Sequence, residues 1–172
     1  AVLHFSSGST GKIKAAMQTR GNRVASMRKF LAGNDVPVRE GDRLAMLGPM
    51  THATGMMIQP ALYGGGTIVV FDKFEVEPFL AAVQELRISH VFMVPAMINM
   101  VLAHPAMGRY DLSSLRSLTY GAAPMAPSRI AEAWKRFGPI LSQGYGGSET
   151  TSGVARLSIR GPAESIATRP DR

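Results

Sequence analysis

A ten-residue stretch near the start of the chain carries the side chains best suited to phosphate chemistry. It spans residues 6–15 and reads Ser-Ser-Gly-Ser-Thr-Gly-Lys-Ile-Lys-Ala. Glycines let the backbone turn sharply and bring N–H groups close to an anion, hydroxyls add hydrogen bonds, and lysines offset phosphate charge. The stretch predicts a nucleotide phosphate loop, and its alternative interpretation is a flexible glycine/serine turn.

Two commoner phosphate loops are excluded by the residues themselves. The pattern G-x-x-x-x-G-K-[ST] would need glycine at position 6 and a hydroxyl residue at position 13, where the chain has Ser6 and Ile13. The dinucleotide pattern G-x-G-x-x-G is also absent, because its nearest approach, residues 144–149, ends in an acid. The stretch therefore differs from both the usual kinase-type loop and the usual NAD-type loop.

The composition indicates one globular unit. The chain has 172 residues, of which 45% are hydrophobic, and this is enough to bury a core. It shows no run of ~18 apolar residues and no leader-like start, so the sequence predicts a cytoplasmic protein without a membrane span. The absence of cysteine excludes a thiol nucleophile and a thiolate metal site.

The net charge of +7 raises the question of a nucleic-acid partner. Nucleic-acid binding needs basic residues clustered on one face, often with aromatic side chains between them. Here the basic residues occur singly or in pairs such as Lys135-Arg136. The sequence therefore predicts no nucleic acid, and an anionic nucleotide substrate or an acidic partner segment would explain the positive charge equally well.

Apolar runs alternate with amphipathic stretches along most of the chain, an order typical of α/β proteins with a mainly parallel sheet and flanking helices. The predicted strands are 1–5, 43–47, 67–71, 90–94, 115–120 and 139–143, and the predicted helices are 22–31, 76–86, a helix opened by Pro95, and 128–137. The run at 67–71 predicts a buried strand. Beyond Thr151 the periodicity fades, which predicts a frayed terminus without a stable element.

Four polar or glycine-rich segments directly follow predicted strands. They are residues 6–15, 49–55, 121–127 and 144–149. Ligand sites of parallel sheets lie at the carboxyl ends of the strands. We therefore expect these four segments to share one edge of the sheet.

The same segments resemble the ordered motifs of the adenylate-forming enzymes. Residues 6–15 resemble [ST]-S-G-[ST]-[ST]-G-x-P-K-G, and residues 49–55 resemble P-[LM]-x-H-x-x-G. Residues 111–116, which read D-L-S-S-L-R, lead to a G-[GA]-A-P-[LM] motif at 121–125, and residues 145–149 resemble Y-G-x-[TS]-E. The chain is identified on these motifs as a member of the family, on its acyl-CoA synthetase or fatty-acid–CoA ligase branch.

This resemblance implies a reaction and its participants. A carboxylic acid, expected to be a fatty acid, would attack ATP to give an acyl-adenylate and pyrophosphate, and coenzyme A would then take the acyl group. Mg²⁺ would offset the phosphate charge. Residues 1–172 would be an internal fragment of the large N-terminal domain, without the C-terminal lid domain that carries a lysine for the substrate carboxylate. The fragment alone is expected to be inactive or very weak.

The resemblance also assigns residues to the site. The phosphate loop, 6–15, would bind the β- and γ-phosphates through Ser7, Gly8, Ser9, Thr10, Gly11 and Lys14. The segment 121–149 would hold adenine and Mg²⁺, with adenine contacts from Gly121, Ala122, Ala123, Pro124, Tyr145 and Gly146. Ser148 would donate to the α-phosphate, Glu149 would bind Mg²⁺, and His52 would border the acyl site. The catalytic candidates are thus His52, Lys14, Ser148 and Glu149.

Two positions depart from the family pattern. Ile13 replaces the loop proline and Ala15 replaces the closing glycine. These changes predict a less rigid loop whose last turn is less able to adopt positive φ. They motivate the alternative of a non-catalytic nucleotide-binding remnant, while an aryl, amino-acid or luciferase-like adenylating enzyme is also left open, as is a homodimer.

Overall fold

The computed structural model describes residues 2–6 and 11–158, and the side chains of Ser6 and Ser152 lie outside the description. The described chain forms a six-stranded, mostly parallel sheet with helices on both faces, and a separate two-stranded hairpin. This confirms the predicted α/β class. Among these residues no helix combines the length and the apolar character that a membrane crossing requires.

The hairpin consists of β1 (Val2–Ser6) and an antiparallel partner, β2 (Lys14–Gln18). Its register pairs Ser6 with Lys14 at one end and Val2 with Gln18 at the other. The predicted strand at the start of the chain is therefore confirmed. The second strand was not predicted, because its first two residues had been assigned to the phosphate loop.

Helix α1 (Arg20–Gly33) follows the hairpin after a single residue, Thr19. Its start is fixed by a capping box, in which the Thr19 hydroxyl accepts a bond from the backbone N–H of Asn22 at 3.1 Å. The Asn22 side chain in turn accepts a bond from the backbone N–H of Thr19 at 3.0 Å. The predicted helix at 22–31 is confirmed, and the cap explains why it begins earlier.

The large sheet has the strand order β4-β3-β5-β6-β7-β8. Its strands are β3 (Arg43–Met46), β4 (Thr67–Val70), β5 (His90–Met93), β6 (Ser117–Gly121), β7 (Leu141–Gly147) and β8 (Ser152–Leu157). All neighbours are parallel except β7 and β8. The remaining α-helices are α2 (Ile58–Tyr63), α3 (Val76–Glu85), α4 (Pro95–Ala103) and α5 (Pro127–Phe137).

The sheet buries both faces. A large apolar core joins one face to α3, α4 and α5, and it includes Phe79, Leu80 and Ile98. A smaller core joins the other face to α2, and it includes Leu44 and Met57. Successive residues of β3 enter different cores because side chains alternate along a strand, and burial on both faces is typical of parallel sheets.

Two sequence predictions about this sheet were wrong. The strand at 67–71 was expected to be buried, but β4 is the outermost strand on one side of the sheet, and Val70 is 57% exposed. Residues beyond Thr151 were expected to lack a stable element, yet 152–157 form β8. In both cases the result depends on which strands pair with each other in the sheet, and the periodicity of a short segment does not contain this information.

Candidate functional site

Three of the four predicted segments lie at the carboxyl edge of the parallel sheet. Residues 49–55 follow β3 closely, residues 121–127 begin at the last residue of β6, and Ser148 and Glu149 follow β7. Since β3, β6 and β7 are parallel, these ends share one edge. The expectation is confirmed for these three segments, whereas Ser6, Lys14 and Ala15 of the fourth belong to the hairpin strands.

The strand order reverses next to one of these segments. The chain passes from β3 to β4 on one side, and then crosses to β5 on the other side of β3. Ligands of open α/β sheets bind in the crevice outside the carboxyl ends of strands where the order reverses in this way. The segment that contains His52 follows β3, so it lies at this crevice.

His52 projects from a tight turn at the start of a short 3₁₀ helix (Ala53–Met57). Its backbone N–H donates to the carbonyl of Pro49 at 3.1 Å, and its carbonyl accepts from the N–H of Gly55 at 3.0 Å. The ring nitrogen Nδ1 lies 3.0 Å from the hydroxyl of Thr51. The ring is exposed, and it is therefore free to contact a ligand.

A cleft of about 290 Å³ lies beside His52. It is lined by the start of β1, by Arg23 of α1, and by the turn at 50–52. The lining is apolar at Val2 and Met50 and basic at Arg23, so the cleft suits a molecule with an apolar part and an acidic group. The Nε2 atom of His4, also in the lining, is buried and has no hydrogen-bond partner among the described residues.

The segment after β6 presents small, exposed residues at the same edge. Ala122, Ala123 and Pro124 are all exposed. Gly121 is buried against β7, and a Cβ atom on it would clash with the carbonyl oxygen of Gly144. Ala122 has φ +68°, a strained value for a residue with a side chain. Strain of this kind is often found where the backbone meets a ligand.

The end of β7 differs from its prediction as a turn. Tyr145 and Gly146 belong to the strand, and Tyr145 pairs with Ala155 of β8. The Tyr145 ring is nevertheless 71% exposed. The turn itself begins at Gly147, whose N–H donates to the hydroxyl of Thr150 at 3.1 Å. Glu149 is exposed within this turn.

The predicted phosphate loop is described only in part. Ser7, Gly8, Ser9 and Thr10 lie outside the described residues. Gly11 has φ +74°, a conformation that glycine adopts without strain. Lys14 and Ala15 are the first two residues of β2, and the phosphate-binding role of Lys14 stays a prediction. Ala15 pairs with Phe5 without a positive φ, and this position does not need the family's glycine.

The hairpin is tied to the turn after β7. The Nε2 atom of Gln18 donates to the carbonyl oxygen of Ser148 at 3.1 Å. The ammonium of Lys29 lies 3.5 Å from the carbonyl oxygen of Thr150 and 3.4 Å from that of Gly153. These bonds link the end of the hairpin and α1 to the segment that contains Glu149. Neither Gln18 nor Lys29 belongs to a motif, so neither residue was predicted from the sequence.

A half-buried arginine holds β8 against the sheet. The Nη2 atom of Arg156 donates to the Ser142 hydroxyl at 2.6 Å and to the Thr119 hydroxyl at 3.3 Å. Burial lowers the pKa of Arg156, and the carboxylate of Asp35, 3.8 Å from Nε, acts in the opposite direction. These contacts join β8 to β6 and β7. The sequence signal for this cluster was only a single arginine in a short apolar run.

The D-L-S-S-L-R segment organises the opposite edge of the sheet. The Asp111 carboxylate accepts from the N–H of Ser113 at 2.9 Å and from Arg87 at 3.1 Å. The Ser114 hydroxyl donates to the carbonyl of Ile88 at 2.9 Å, just before β5. The segment leads into the amino end of β6, so its contacts are structural.

Glu149 is the predicted metal ligand at the carboxyl edge. The described residues contain no group of three or more histidine and acidic side chains that could hold a metal ion by themselves. Mg²⁺ is commonly bound by one or two carboxylates together with phosphate oxygens and water. The exposed Glu149 carboxylate therefore fits a Mg²⁺ ion that arrives with a nucleotide.

Comparison with known proteins places this arrangement in a family. The chain is similar to the feruloyl-CoA synthase of Amycolatopsis sp, with 37% identity over 169 residues, which are 97% of this chain and 34% of that protein. It is also similar to the medium/long-chain-fatty-acid–CoA ligase FadD8 of Mycobacterium tuberculosis, with 36% identity over 91% of this chain and 27% of that protein. The chain thus spans between about a quarter and a third of the length of these curated relatives.

A solved structure gives the same result. The o-succinylbenzoate coenzyme A synthetase MenE of Bacillus subtilis, in complex with ATP and magnesium ion, superimposes with a TM-score of 0.81 at 25% identity. The match covers 96% of this chain and 33% of that one. Residues 1–170 also match the family described as AMP-binding enzyme. Since the family model covers nearly the whole chain, and three of the predicted segments lie at the carboxyl edge of the sheet, the chain belongs to the AMP-binding enzyme family.

Proposed function

We propose that this chain is the nucleotide-binding part of an enzyme that activates a carboxylic acid with ATP and transfers it to coenzyme A. The observation that carries the proposal is the shared carboxyl edge on which the His52 turn, the 121–124 segment and the 147–151 turn lie. Its similar relatives are named as CoA ligases or synthases. The proposal extends beyond the described chain, because the relatives are about three times longer.

The adenine would lie against Tyr145. Its ring is exposed, and the residues on either side of it in β7 are glycines. An aromatic face can stack on a base regardless of the protonation state of that base. The small side chains of Ala122 and Ala123 let the adenine ring approach the backbone after β6. Gly121 and Pro124, on either side of them, would also contact the base. Gly146 adds no side chain that would obstruct the base.

The phosphates would lie between the 147–151 turn and the hairpin. Ser148 would donate to the α-phosphate, and Lys14 with the loop residues Ser7, Gly8, Ser9, Thr10 and Gly11 would bind the β- and γ-phosphates. Glu149 would hold Mg²⁺, which when bound offsets the charge that builds on the phosphate oxygens. The MenE structure with ATP and magnesium ion supports this assignment by family likeness.

The acid would occupy the cleft beside His52. Its tail would contact Val2 and Met50, and its carboxylate would point toward the His52 turn. A carboxylate oxygen would attack the α-phosphorus, and the bond from that phosphorus to the bridging oxygen would break, releasing pyrophosphate. The sulfur of coenzyme A would then attack the acyl carbon and release AMP. The apolar lining favours a fatty acid, and an aromatic acid is the second candidate.

Acid-dependent exchange between pyrophosphate and ATP tests this function. The full-length protein would be assayed with short, medium, long and aromatic acids, each with and without coenzyme A. We expect exchange with at least one class, and formation of the corresponding CoA thioester. ATP binding without exchange for any acid would overturn the proposal and favour the non-catalytic alternative.

A further inference from the structure

Gln18 connects two segments that lie far apart in the sequence. It is the last residue of β2 and is 0% exposed. Its Nε2 atom donates to the backbone carbonyl of Ser148 at 3.1 Å across 130 residues of chain. Ser148 lies in the turn that also contains Glu149. The bond therefore joins the end of the hairpin to the candidate nucleotide-binding turn.

This glutamine is a costly choice for packing. Its Oε1 atom is buried and has no hydrogen-bond partner among the described residues. A buried polar atom without a partner destabilises the folded state, whereas an apolar side chain of similar volume would fill the same space without that penalty. Packing alone does not account for an amide here, so the bond that its N–H group makes is the feature to explain.

The orientation of the amide follows from its partner. A carbonyl oxygen only accepts hydrogen bonds, so the amide must present its NH₂ group to Ser148. The reversed amide would place two acceptor oxygens against each other. The donor is thus fixed toward the turn, and the unpaired oxygen is the consequence.

The position of Gln18 makes the bond effective. The residue after Gln18 is Thr19, which caps α1. In the other direction, β2 leads from Gln18 back to Lys14, which is roughly 13 Å away at the usual rise of a strand. Lys29 reaches the same turn from α1, but its ammonium is exposed and its distances of 3.4 and 3.5 Å are long. Gln18 supplies the buried and shorter of these connections.

We propose that Gln18 is a positioning residue, which fixes the turn containing Ser148 and Glu149 against β2, the strand that leads back to Lys14 at its other end. Its catalytic consequence rests on the proposed function. Without the bond the two phosphate-binding segments would move relative to each other. Gln18 itself touches neither substrate nor metal in this proposal.

Two variants of the full-length protein remove the bond, Gln18→Met and Gln18→Leu, and they differ in how they fill the space. The matched control is Gln84→Met. The amide oxygen of Gln84 accepts from the N–H of Asp111 at 2.9 Å, at the opposite edge of the sheet. The three variants thus each lose one bond between a glutamine and a distant backbone group.

Two measurements read out the effect. Hydrogen exchange of peptides that cover residues 144–151 should become roughly tenfold faster in both Gln18 variants and stay unchanged in the control, as expected for loss of about one hydrogen bond. The KM for MgATP in pyrophosphate exchange should rise about tenfold at temperatures well below the melting transition. A merely structural role would lower the melting temperature and leave KM unchanged.

The outcomes separate the two proposals. Unchanged hydrogen exchange in the turn, or unchanged KM in an active enzyme, would overturn the role of Gln18. If the wild-type protein shows no acid-dependent exchange, the proposed function fails. Hydrogen exchange then still decides whether Gln18 holds the turn.

Discussion

The carbonyl oxygen of Met50 occupies the space that a side chain on Gly55 would need, because a Cβ atom built there would overlap it. The same contact closes the turn that presents His52 at the carboxyl edge of the sheet. Gly55 is therefore required by close approach of the backbone, since its φ is not positive. This explains in physical terms why a glycine follows three residues after the histidine.

Replacement of Gly55 by alanine should deform this turn. We expect Gly55→Ala to lower the free energy of unfolding by about 1–3 kcal/mol, the usual range for overpacking, and to impair acid-dependent exchange. Urea denaturation measures the first effect. Gly108→Ala is the control, because a Cβ atom there meets nothing within 4 Å. Equal stability of the two variants would contradict the role of Met50.

Ala122 and Ala123 should respond oppositely to glycine. Ala122 has φ +68° and bears a strain that glycine would relieve. At Ala123, which has no positive φ, glycine only adds conformational freedom to the unfolded chain. Ala122→Gly should therefore be more stable than Ala123→Gly by about 1 kcal/mol in chemical denaturation. A lower stability for Ala122→Gly would show that the strain is absent.

Burial of His90 in β5 should lower the free energy of unfolding in mild acid. Burial lowers the pKa of His90 below its usual 6.5, and the bond to the Val36 carbonyl and the charge of Asp42 offset this only in part. The unfolded chain then takes up a proton at a higher pH than the folded chain. The stabilisation is complete above about pH 6.5 and is lost as the pH falls through the lower, folded pKa.

The test of this effect is the pH dependence of unfolding. The free energy of unfolding should fall less between about pH 7.5 and about pH 5.5 in His90→Gln than in the wild type. His104→Gln serves as the control, since His104 lies outside the sheet, directly after α4, and its Nδ1 accepts from the N–H of Ala106. Identical slopes for His90→Gln and the wild type would rule out a contribution from this residue.

Glu149 should determine the magnesium requirement. In Glu149→Gln the side chain keeps its shape but loses its charge, so we expect pyrophosphate exchange to fall by about a hundredfold and to need more Mg²⁺. Titration of the rate against Mg²⁺ measures this. Glu85→Gln changes an exposed glutamate on α3 and should behave as wild type. An unaltered Mg²⁺ dependence in Glu149→Gln would place the metal elsewhere.

Tyr145 should contribute to ATP binding by stacking. Loss of the ring in Tyr145→Ala should raise the KM for ATP about tenfold or more, since stacking on a base contributes about 1–3 kcal/mol, whereas Tyr145→Phe should keep most of the affinity. Tyr63→Ala removes another exposed ring, at the end of α2, as a control. Similar KM values for Tyr145→Ala and Tyr63→Ala would mean that the adenine lies elsewhere.

Much of the fold could be predicted from local signals. Pro95 and Pro127 stand at the first positions of α4 and α5, where proline is favoured. Apolar runs located β3 and β5 to within a residue, because buried strands of parallel sheets are nearly continuous apolar segments. The shared edge of three motif segments followed from their position after such strands.

The contacts that hold the site together could not be predicted in this way. The bond between Gln18 and Ser148 and the cluster around Arg156 join residues that no window of sequence contains together. The strand β2 was missed because its first residues, Lys14 and Ala15, match a loop motif. The roles of Ser7, Gly8, Ser9 and Thr10 stay predictions.

The reversal of strand order between β3 and β5 has a consequence for how the protein folds. Arg43 bonds Ser89 across 46 residues, whereas the neighbouring pair Thr119 and Ser142 on β6 and β7 is separated by 23. Each doubling of a closed loop adds about 0.6 kcal/mol of entropic cost. Pairing of β3 with β5 therefore costs about 0.6 kcal/mol more loop-closure entropy than pairing of β6 with β7. We expect the crevice beside His52, which needs the pairing of β3 with β5, to form after β6 has paired with β7.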